Sequence, residues 1–281
     1  MRFPLGSSHR SGDLLTTATL QDGTIVDCLL AREALVLDRH VDGYVAHGIE
    51  LGDDAVVIDV GANIGLFGVR LMQRLPGAKV VACEPIPAIH EVLARNAARH
   101  GDGRMTALRC GVSDQPGSMT FTYFPRSPAL SSAHLEDWEE PGAFTAAVRG
   151  ALGTAGEVSV LARWTPRWLA GFVAKFLWSG REEVTADLHT ISQLMVDQGL
   201  AHVDLLKIDC EGAELTALQG VDDADWPRIH QVVAEVHDRQ GRLKQVTDLL
   251  AQKGLTQIHI EHEEGFEDTH LFNVYATRNT P

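Results

Sequence analysis

The sequence of this 281-residue chain predicts an α/β protein built on a mostly parallel β-sheet. From residue 55 onward, short apolar runs typical of buried strands alternate with longer segments whose apolar residues recur at helical spacing. Strands that alternate with helices form βαβ units, in which neighbouring strands are parallel. The last two predicted strands have no helix between them, so we expect an antiparallel pair at one edge of the sheet.

The first 50 residues precede this alternation and are expected to form a hairpin and helix cap. A hairpin is predicted for residues 16–30, because an Asp-Gly pair lies between two β-prone runs. A weak helical pattern follows at residues 33–47. Its two histidines, His40 and His47, are expected to be surface or capping residues rather than ligands.

Residues 51–281 are expected to form one domain. Its predicted elements are, in chain order, strand 55–60, helix 66–75, strand 79–83, helix 87–100, strand 105–110, a strand or hairpin arm at 117–124, helix 191–198, strand 203–209, helix 214–219, strand 231–236, helix 242–253, and strands 256–260 and 271–277. The alternation breaks in the middle of this series, and we expect an insertion there at about residues 126–183.

The composition narrows the class of protein. Hydrophobic residues make up 44% and charged residues 22%, which excludes wholesale disorder. The net charge of −14 disfavours binding to a nucleic-acid backbone. The four cysteines lack metal-site spacing and are expected to be reduced thiols, and neither a signal peptide nor a membrane span is predicted. These features predict a cytoplasmic location.

The strongest motif is the junction between the first predicted strand of the domain and the helix after it. Three glycines follow the strand with the spacing Gly61-x-x-x-Gly65-x-x-Gly68. A glycine there permits positive φ and close approach of a ligand, and the N–H groups at a helix start favour a polar or anionic ligand group. In an open α/β sheet, this edge is where ligands bind.

The motif differs from the dinucleotide fingerprint in two ways. Asn63 occupies the place of the middle glycine, and Asp59 precedes the turn, where an acid suits a ligand ammonium better than a pyrophosphate. Both differences favour S-adenosylmethionine, whose methionine end carries an ammonium and a carboxylate. Glu84 ends the next strand, 23 positions after Gly61, as expected for an acid that binds ribose hydroxyls.

Three segments together resemble the FkbM-type S-adenosylmethionine-dependent methyltransferases. They are Val-Ile-Asp-Val-Gly-Ala-Asn-Ile-Gly at 57–65, Glu-Pro at 84–85, and Asp-Leu-Leu-Lys-Ile-Asp-Cys-Glu-Gly-Ala-Glu at 204–214. The resemblance covers roughly residues 50–125 and 185–277. It implies a Rossmann-like seven-stranded methyltransferase sheet, mostly parallel with the last strand antiparallel, and methylation of hydroxyl oxygens in secondary metabolites, sugars or polyketide-derived groups.

The resemblance also implies cofactor-binding roles for individual residues. Gly61, Ala62 and Asn63 would line the methionine part, with Gly65 completing the turn, and Asp59 would lie by the ammonium. Further along the chain, Glu84 would bind the ribose, Ser113 and Asp114 would lie at the adenine edge, and Asp209 would lie nearest the sulfonium.

Candidate catalytic residues must lie beyond the ends of the later strands. His237 is the preferred general base because an imidazole titrates near neutral pH, and Asp209 and Glu235 lie at neighbouring strand ends. A structural alternative is that Glu235 forms a buried pair with Lys207. Asp209, Glu235, His237 and Asp238 offer ligands for magnesium, but no clear ligand triad is present, so metal dependence is not favoured.

A second group of histidines and acids precedes the last strand. It comprises His259, Glu261, His262, Glu263, Glu264, Glu267, Asp268 and His270. We expect a solvated charged turn there rather than a metal site.

The insertion combines positive charge with aromatic residues. Residues 149–181 contain five basic residues and one acid, and Trp164 and Trp168 lie four apart on one predicted helical face. We expect a lid over the sheet edge; a docking face for an acidic carrier protein and shallow membrane contact are the alternatives. Upstream, His134 lies in a segment that resembles the family's serine-containing stretch facing the cofactor.

The predicted function is S-adenosylmethionine-dependent O-methylation of a hydroxyl on a natural-product intermediate, either a small molecule or a carrier-bound group. N-methylation, a nicotinamide dehydrogenase and a catalytically silent partner-binding module are the alternatives. A homodimer is compatible with the sequence.

Overall fold

The computed structural model describes residues 15–128, 131, 180–262 and 270–279. Its helices and strands are, in chain order, β1 (Thr16–Thr19), β2 (Ile25–Cys28), α1 (Ala31–His40), a 3₁₀ helix (Val41–Tyr44), β3 (Val56–Val60), α2 (Leu66–Arg74), β4 (Lys79–Cys83), α3 (Pro87–His100), β5 (Met105–Leu108), β6 (Gly111–Val112), β7 (Gly117–Tyr123), β8 (Glu182–His189), α4 (Ile191–Asp197), β9 (Leu205–Ile208), α5 (Glu214–Gln219), a second 3₁₀ helix (Trp226–Arg228), β10 (Gln231–His237), α6 (Arg242–Gln252), β11 (Gln257–His262) and β12 (Leu271–Thr277).

Seven of these strands form one sheet in the order β11-β12-β10-β9-β3-β4-β5. The neighbours from β10 to β5 are parallel, whereas β12 runs antiparallel to both β10 and β11. The Rossmann-like sheet predicted from the sequence is therefore confirmed, including the antiparallel last strand. Strands β3, β4, β9 and β10 all end at the same edge of the sheet, so the residues that follow them share that edge.

Each face of the sheet carries its own apolar layer. Consecutive residues of the central strands, such as Val57 and Ile58, lie on opposite faces of the sheet and belong to different core clusters. The Val57 side packs against the β1–β2 hairpin, α1, α2 and α3, whereas the Ile58 side packs against α4, α5 and α6. Strands buried on both faces explain why the sequence shows continuous apolar runs there.

The N-terminal hairpin forms as predicted, and one buried amide joins it to the rest of the chain. Asn96 lies on the apolar face of α3 and is completely buried. Its Oδ1 accepts from the N–H of Asp27 at 2.8 Å, and its Nδ2 donates to the carbonyls of Asp27 and Ile64 at 2.9 and 2.8 Å. This amide therefore fixes β2 against α3 and the turn that precedes α2.

Two local predictions differ from the structure. Strand β8 was not predicted from the sequence; it pairs with β7 and β6 in a separate three-stranded sheet. Val184, Ala186 and Leu188 alternate with polar residues, so the sequence does carry the period-two pattern of a strand at this place. Strand β11 extends to His262, two residues beyond its predicted end at residue 260, so Glu261 and His262, which were expected in a turn, lie in a strand.

Within the described residues, no helix is long and apolar enough to cross a membrane. Of the predicted insertion, the structure describes residues 126–128, 131 and 180–183. The lid residues His134, Trp164 and Trp168 lie outside the described residues, so the lid and docking alternatives remain predictions.

Candidate active site

The turn between β3 and α2 depends on glycines for packing as well as for backbone conformation. Gly61 has φ +72°, and a Cβ added there would lie 1.7 Å from the carbonyl oxygen of Asp209. Gly65 has φ +84°, and its Cβ would lie 2.5 Å from Leu93 Cδ1. Positive φ at both positions and backbone contact at Gly61 exclude a larger residue there. The ends of β3 and β9 therefore approach each other more closely than a side chain at Gly61 would permit.

Asn63 and Glu84 meet across the top of this turn. Asn63 adopts a left-handed conformation, φ 49°, which asparagine tolerates better than most residues, and its Oδ1 accepts from the N–H of Ile64 at 2.8 Å. The N–H of Asn63 donates to Glu84 Oε2 at 3.2 Å, and the N–H of Ile86 donates to Glu84 Oε1 at 2.9 Å. The sequence-predicted ribose acid therefore lies directly beside the predicted methionine turn.

Glu84 is an unusually placed carboxyl group, because it is 5% exposed. Burial raises its pKa to about 7, although the N–H groups of Ile86 and Asn63 lower it. Buried carboxylates with raised pKa values are typical of functional sites.

Ser113 and Asp114 follow β6 at the start of a loop. The Ser113 side chain is buried and donates to Asp114 Oδ1 at 3.1 Å, while Asp114 is exposed. The N–H of Ser113 donates to the carbonyl of His189 at 2.9 Å, which ties this loop to β8. Their role at the adenine edge remains a prediction.

Lys207 is the centre of a buried ionic cluster below the turn. Its Nζ lies 3.0 Å from Asp59 Oδ1, 3.4 Å from Asp209 Oδ2 and 3.2 Å from the carbonyl oxygen of Gly61, to which it donates. Burial alone would lower the pKa of Lys207, but the carboxylates of Asp59 and Asp209 outweigh burial and raise it above the ordinary value. The lysine is therefore held in its charged form.

The carboxylate in contact with Lys207 across neighbouring strands is Asp59 rather than Glu235, which the sequence offered as a structural alternative; Glu235 is a further negative charge that raises the Lys207 pKa. Asp59 is the register partner of Lys207 on the neighbouring strand β3, whereas Val233 occupies the corresponding place on β10 and Glu235 lies two residues further on. The strand-joining pair is therefore Lys207–Asp59. Since the Asp59 carboxylate is completely buried against Lys207, a direct contact of Asp59 with a ligand ammonium stays a prediction.

Asp209 is partly exposed at the end of β9 and is held by the cap. Tyr44, the last residue of the first 3₁₀ helix, donates its hydroxyl to Asp209 Oδ2 at 2.9 Å, and its ring lies 4.9 Å from Lys207 Nζ. An edge contact with Phe67, 5.6 Å between ring centroids, fixes the Tyr44 ring. Sequence reasoning missed Tyr44 because 165 positions separate it from Asp209, and no local pattern joins the two.

His237 ends β10 at the same edge of the sheet, with 12% of its side chain exposed. Its Nε2 lies 3.5 Å from Glu211 Oε2 and 3.9 Å from Glu235 Oε1. Glu211 itself is left-handed, φ 53°, which is uncommon for a residue other than glycine. The structure thus places the predicted base between two carboxylates, one of them on a strained loop residue, as often occurs at functional sites.

Glu214 lies behind this group at the start of α5 and is completely buried. Its Oε1 accepts from the N–H of Gly212 at 2.6 Å, and burial raises its pKa to about 7. The group orders the loop that carries Glu211.

The comparisons with known proteins agree with this geometry. The model of the methyltransferase FkbM domain matches residues 59–256. The 31-O-demethyl-FK506 methyltransferase FkbM of Streptomyces tacrolimicus is 37% identical over 270 residues, which cover 95% of this chain and 98% of that protein. Methyltransferase sdnD of Sordaria araneosa is 34% identical over 73% of this chain and 74% of its own length.

Two further matches cover different shares of the proteins concerned. The AMB antimetabolite synthetase AmbE of Pseudomonas aeruginosa is 33% identical over 84% of this chain but only 11% of its own length. Among solved structures, a precorrin-6y C5,15-methyltransferase from Geobacter metallireducens aligns with a TM-score of 0.41 and 10% identity, over 89% of this chain and 88% of that one. A structural likeness this low carries no information about substrate.

The turn with Glu84 beside it, the ionic cluster around Lys207 and the His237 group all lie within the matched region. A family model that matches most of the chain and a relative aligned along nearly its whole length lead to one conclusion: the chain belongs to the FkbM family of methyltransferases.

Proposed function

We propose that the chain transfers the methyl group of S-adenosylmethionine to a hydroxyl oxygen of a secondary-metabolite intermediate in the cytoplasm. The observation that carries this proposal is the placement of Glu84 beside Asn63 at the sheet edge where His237 also lies. One carboxylate suited to vicinal hydroxyls and one imidazole suited to proton removal then share that edge.

The residues at the turn fit this cofactor. Glu84 keeps acceptor capacity beyond its two backbone donors, because a carboxylate has about four lone-pair sites. The N–H groups of Gly61 and Ala62 donate to the carbonyl of Cys83, so this turn would offer the ligand ammonium its carbonyl oxygens, each of which can accept a second hydrogen bond. When bound, the cofactor supplies an electrophilic methyl group on a sulfonium. Glu84 would hold the ribose hydroxyls, and the Gly61–Asn63 turn would hold the methionine end.

His237 would remove the proton of the substrate hydroxyl. The carboxylates of Glu211 and Glu235 lie within 4 Å of its Nε2, and opposite charge at this distance stabilises the imidazolium that proton removal creates. General-base catalysis typically contributes 10²–10⁴-fold to the rate. Glu211 and Glu235 act through His237 and are positioning residues.

Asp209 would orient the reacting groups rather than carry the proton. Its carboxylate already accepts from Tyr44 and faces Lys207, so two neighbours fix its position. Correct alignment of a nucleophile accounts for much of the acceleration in a displacement reaction. The cap would thereby contribute to catalysis through Tyr44.

The substrate class rests on the relatives. The name of the Streptomyces protein specifies methylation of an oxygen on FK506, and that relative aligns along nearly all of this chain. A carrier-bound intermediate is the second candidate, because the match to AmbE is a small part of a synthetase. Both candidates present a hydroxyl to the same edge of the sheet.

The test uses S-adenosylmethionine with a trideuterated methyl group and 31-O-demethyl-FK506 as acceptor. Mass spectrometry should find the label on oxygen, and His237→Ala should lower kcat at least about 100-fold while cofactor affinity changes little. His230→Ala is the matched control, because His230 directly precedes the opposite end of the same strand and is exposed. Absence of label on oxygen, or a loss below about tenfold in His237→Ala, would contradict the proposal.

A further inference from the structure

A second cluster of histidine and carboxylate side chains lies where the cap meets the outermost strand of the sheet. His47 follows the first 3₁₀ helix, and His259 and Glu261 lie two residues apart on the same side of β11. Nε2 of His47 lies 2.9 Å from Glu261 Oε2, and Nε2 of His259 lies 3.9 Å from the same oxygen. The three residues come from segments more than 200 positions apart, so the fold itself brings them together.

The donor atoms of this cluster lie close together. One donor atom of each residue lies within 4.8 Å of the other two, and no other such group of three occurs in the described part of the chain. The His47 and His259 rings are stacked, 3.9 Å between centroids and 13° between planes, so their in-plane lone pairs run nearly parallel, and rotation of one side chain would bring both nitrogens onto a shared ion. Ligand atoms at about 2.0–2.1 Å from a tetrahedral zinc ion are about 3.3 Å apart. This separation lies between the 2.9 and 3.9 Å that separate Glu261 Oε2 from the two histidine nitrogens.

The carboxylate is held by a rigid neighbour. Tyr275 is 1% exposed, and its hydroxyl lies 2.8 Å from Glu261 Oε1 and 3.0 Å from the carbonyl oxygen of Gly43. The Tyr275 hydroxyl therefore fixes Oε1 and leaves Oε2 directed at the histidines. Metal sites commonly show such an outer partner, which orients the ligating carboxylate.

We propose that His47, His259 and Glu261 bind a zinc ion that joins the cap to β11. Two imidazoles and one carboxylate are a ligand set that zinc uses with an open fourth position, which water would occupy at this partly exposed place. The ion would fix the segment that carries Tyr44, three residues before His47, and so support the contact of Tyr44 with Asp209. The site does not depend on the proposed methyl transfer.

A second histidine–carboxylate group in the chain provides a contrast. His202 and His230 flank Asp204, but each contacts a different oxygen of that carboxylate, at 3.2 Å each. Their rings are also further apart, 5.5 Å between centroids. The donor atoms of this group do not converge, so we expect it to bind zinc poorly.

The experiment titrates Zn²⁺ into the metal-free, untagged chain in competition with a chromophoric chelator. Wild type should bind one equivalent, and Co²⁺ should give the absorption bands of a tetrahedral site. His259→Ala and Glu261→Gln should each weaken binding at least about tenfold, since loss of an outer-sphere partner alone typically costs 10–100-fold. Tyr275→Phe tests that partner and should weaken binding in this range, whereas the matched control His230→Ala should match wild type.

Circular dichroism of each metal-free variant separates loss of the site from loss of the fold. If a variant is unfolded, the Co²⁺ spectrum and stoichiometry of wild type still decide the question. Failure of wild type to bind zinc, or equal affinity in wild type, His259→Ala and Glu261→Gln, would overturn the proposal and leave a His47–Glu261 ion pair as the only role of the cluster.

Discussion

The wild-type chain should become less stable as the pH rises, and replacing Glu84 by glutamine should abolish this dependence. The folded chain keeps the Glu84 proton up to a pKa of about 7, whereas an ordinary glutamate releases it near 4.5. Between these values the folded state binds more protons than the unfolded state, so stability is fully present below pH 4.5 and falls as the pH rises toward 7. Glutamine does not titrate and removes this dependence.

The size of the effect follows from the shift. A difference of about 2.5 pKa units corresponds to about 3.4 kcal/mol in total, of which about 2.5 kcal/mol develops between pH 5 and pH 8. The amide also leaves one backbone donor, Asn63 or Ile86, poorly paired, but that cost is independent of pH and cancels when two pH values are compared.

The assay is urea unfolding of the unliganded chain at pH 5, 6, 7 and 8. The unfolding free energy of Glu84→Gln minus that of wild type should increase by about 2.5 kcal/mol over this range. Glu91→Gln, on the exposed side of α3, makes the same charge change and is the matched control. A difference for Glu84→Gln that does not vary with pH would refute the argument that burial raises the pKa of this carboxyl.

Three further predictions concern groups that hold the site. Asn96→Ala should destabilise the chain by about 3 kcal/mol in urea unfolding, because three buried hydrogen bonds lose their partner; a loss below about 1 kcal/mol would contradict this role. Gly61→Ala should destabilise by more than about 3 kcal/mol or prevent folding, because the methyl group would meet the Asp209 carbonyl oxygen at positive φ; a stable, active variant would show that the turn relaxes freely. Tyr44→Phe should lower kcat more than it changes cofactor affinity in calorimetry, because it removes one hydrogen bond that orients Asp209; an unchanged kcat would exclude a positioning role.

The sheet was predictable from the sequence because its strands are short apolar runs buried on both faces. The run at Val57–Val60 and the acid at Glu84 locate the turn, and the Lys-Ile-Asp segment locates the end of β9. These features are local, since each depends on a few neighbouring residues and the alternation of strand and helix. The apolar run at residues 231–236 likewise located His237 at the end of β10.

Contacts between distant segments were not predictable. A Lys207–Glu235 pair was one alternative from the sequence, whereas Asp59 lies opposite Lys207, because strand neighbours are ambiguous until the register of β3 against β9 is known. Tyr44 and His47 lie in a weakly patterned cap, and their partners Asp209 and Glu261 lie far along the chain. Asn96 did leave a signal: a polar residue on the apolar face of α3, which is unusual unless its amide is fully paired.

The central claim is that the edge defined by Gly61 and Glu84 binds S-adenosylmethionine. Isothermal titration calorimetry of the wild-type chain tests it most directly. We expect one equivalent of S-adenosylmethionine bound and no measurable binding of NAD. Affinity for S-adenosylmethionine should be at least about tenfold weaker in Glu84→Ala, since two ribose hydroxyls would lose their acceptor and an unpaired buried polar group costs at least about 1 kcal/mol. Binding of NAD without binding of S-adenosylmethionine would contradict it.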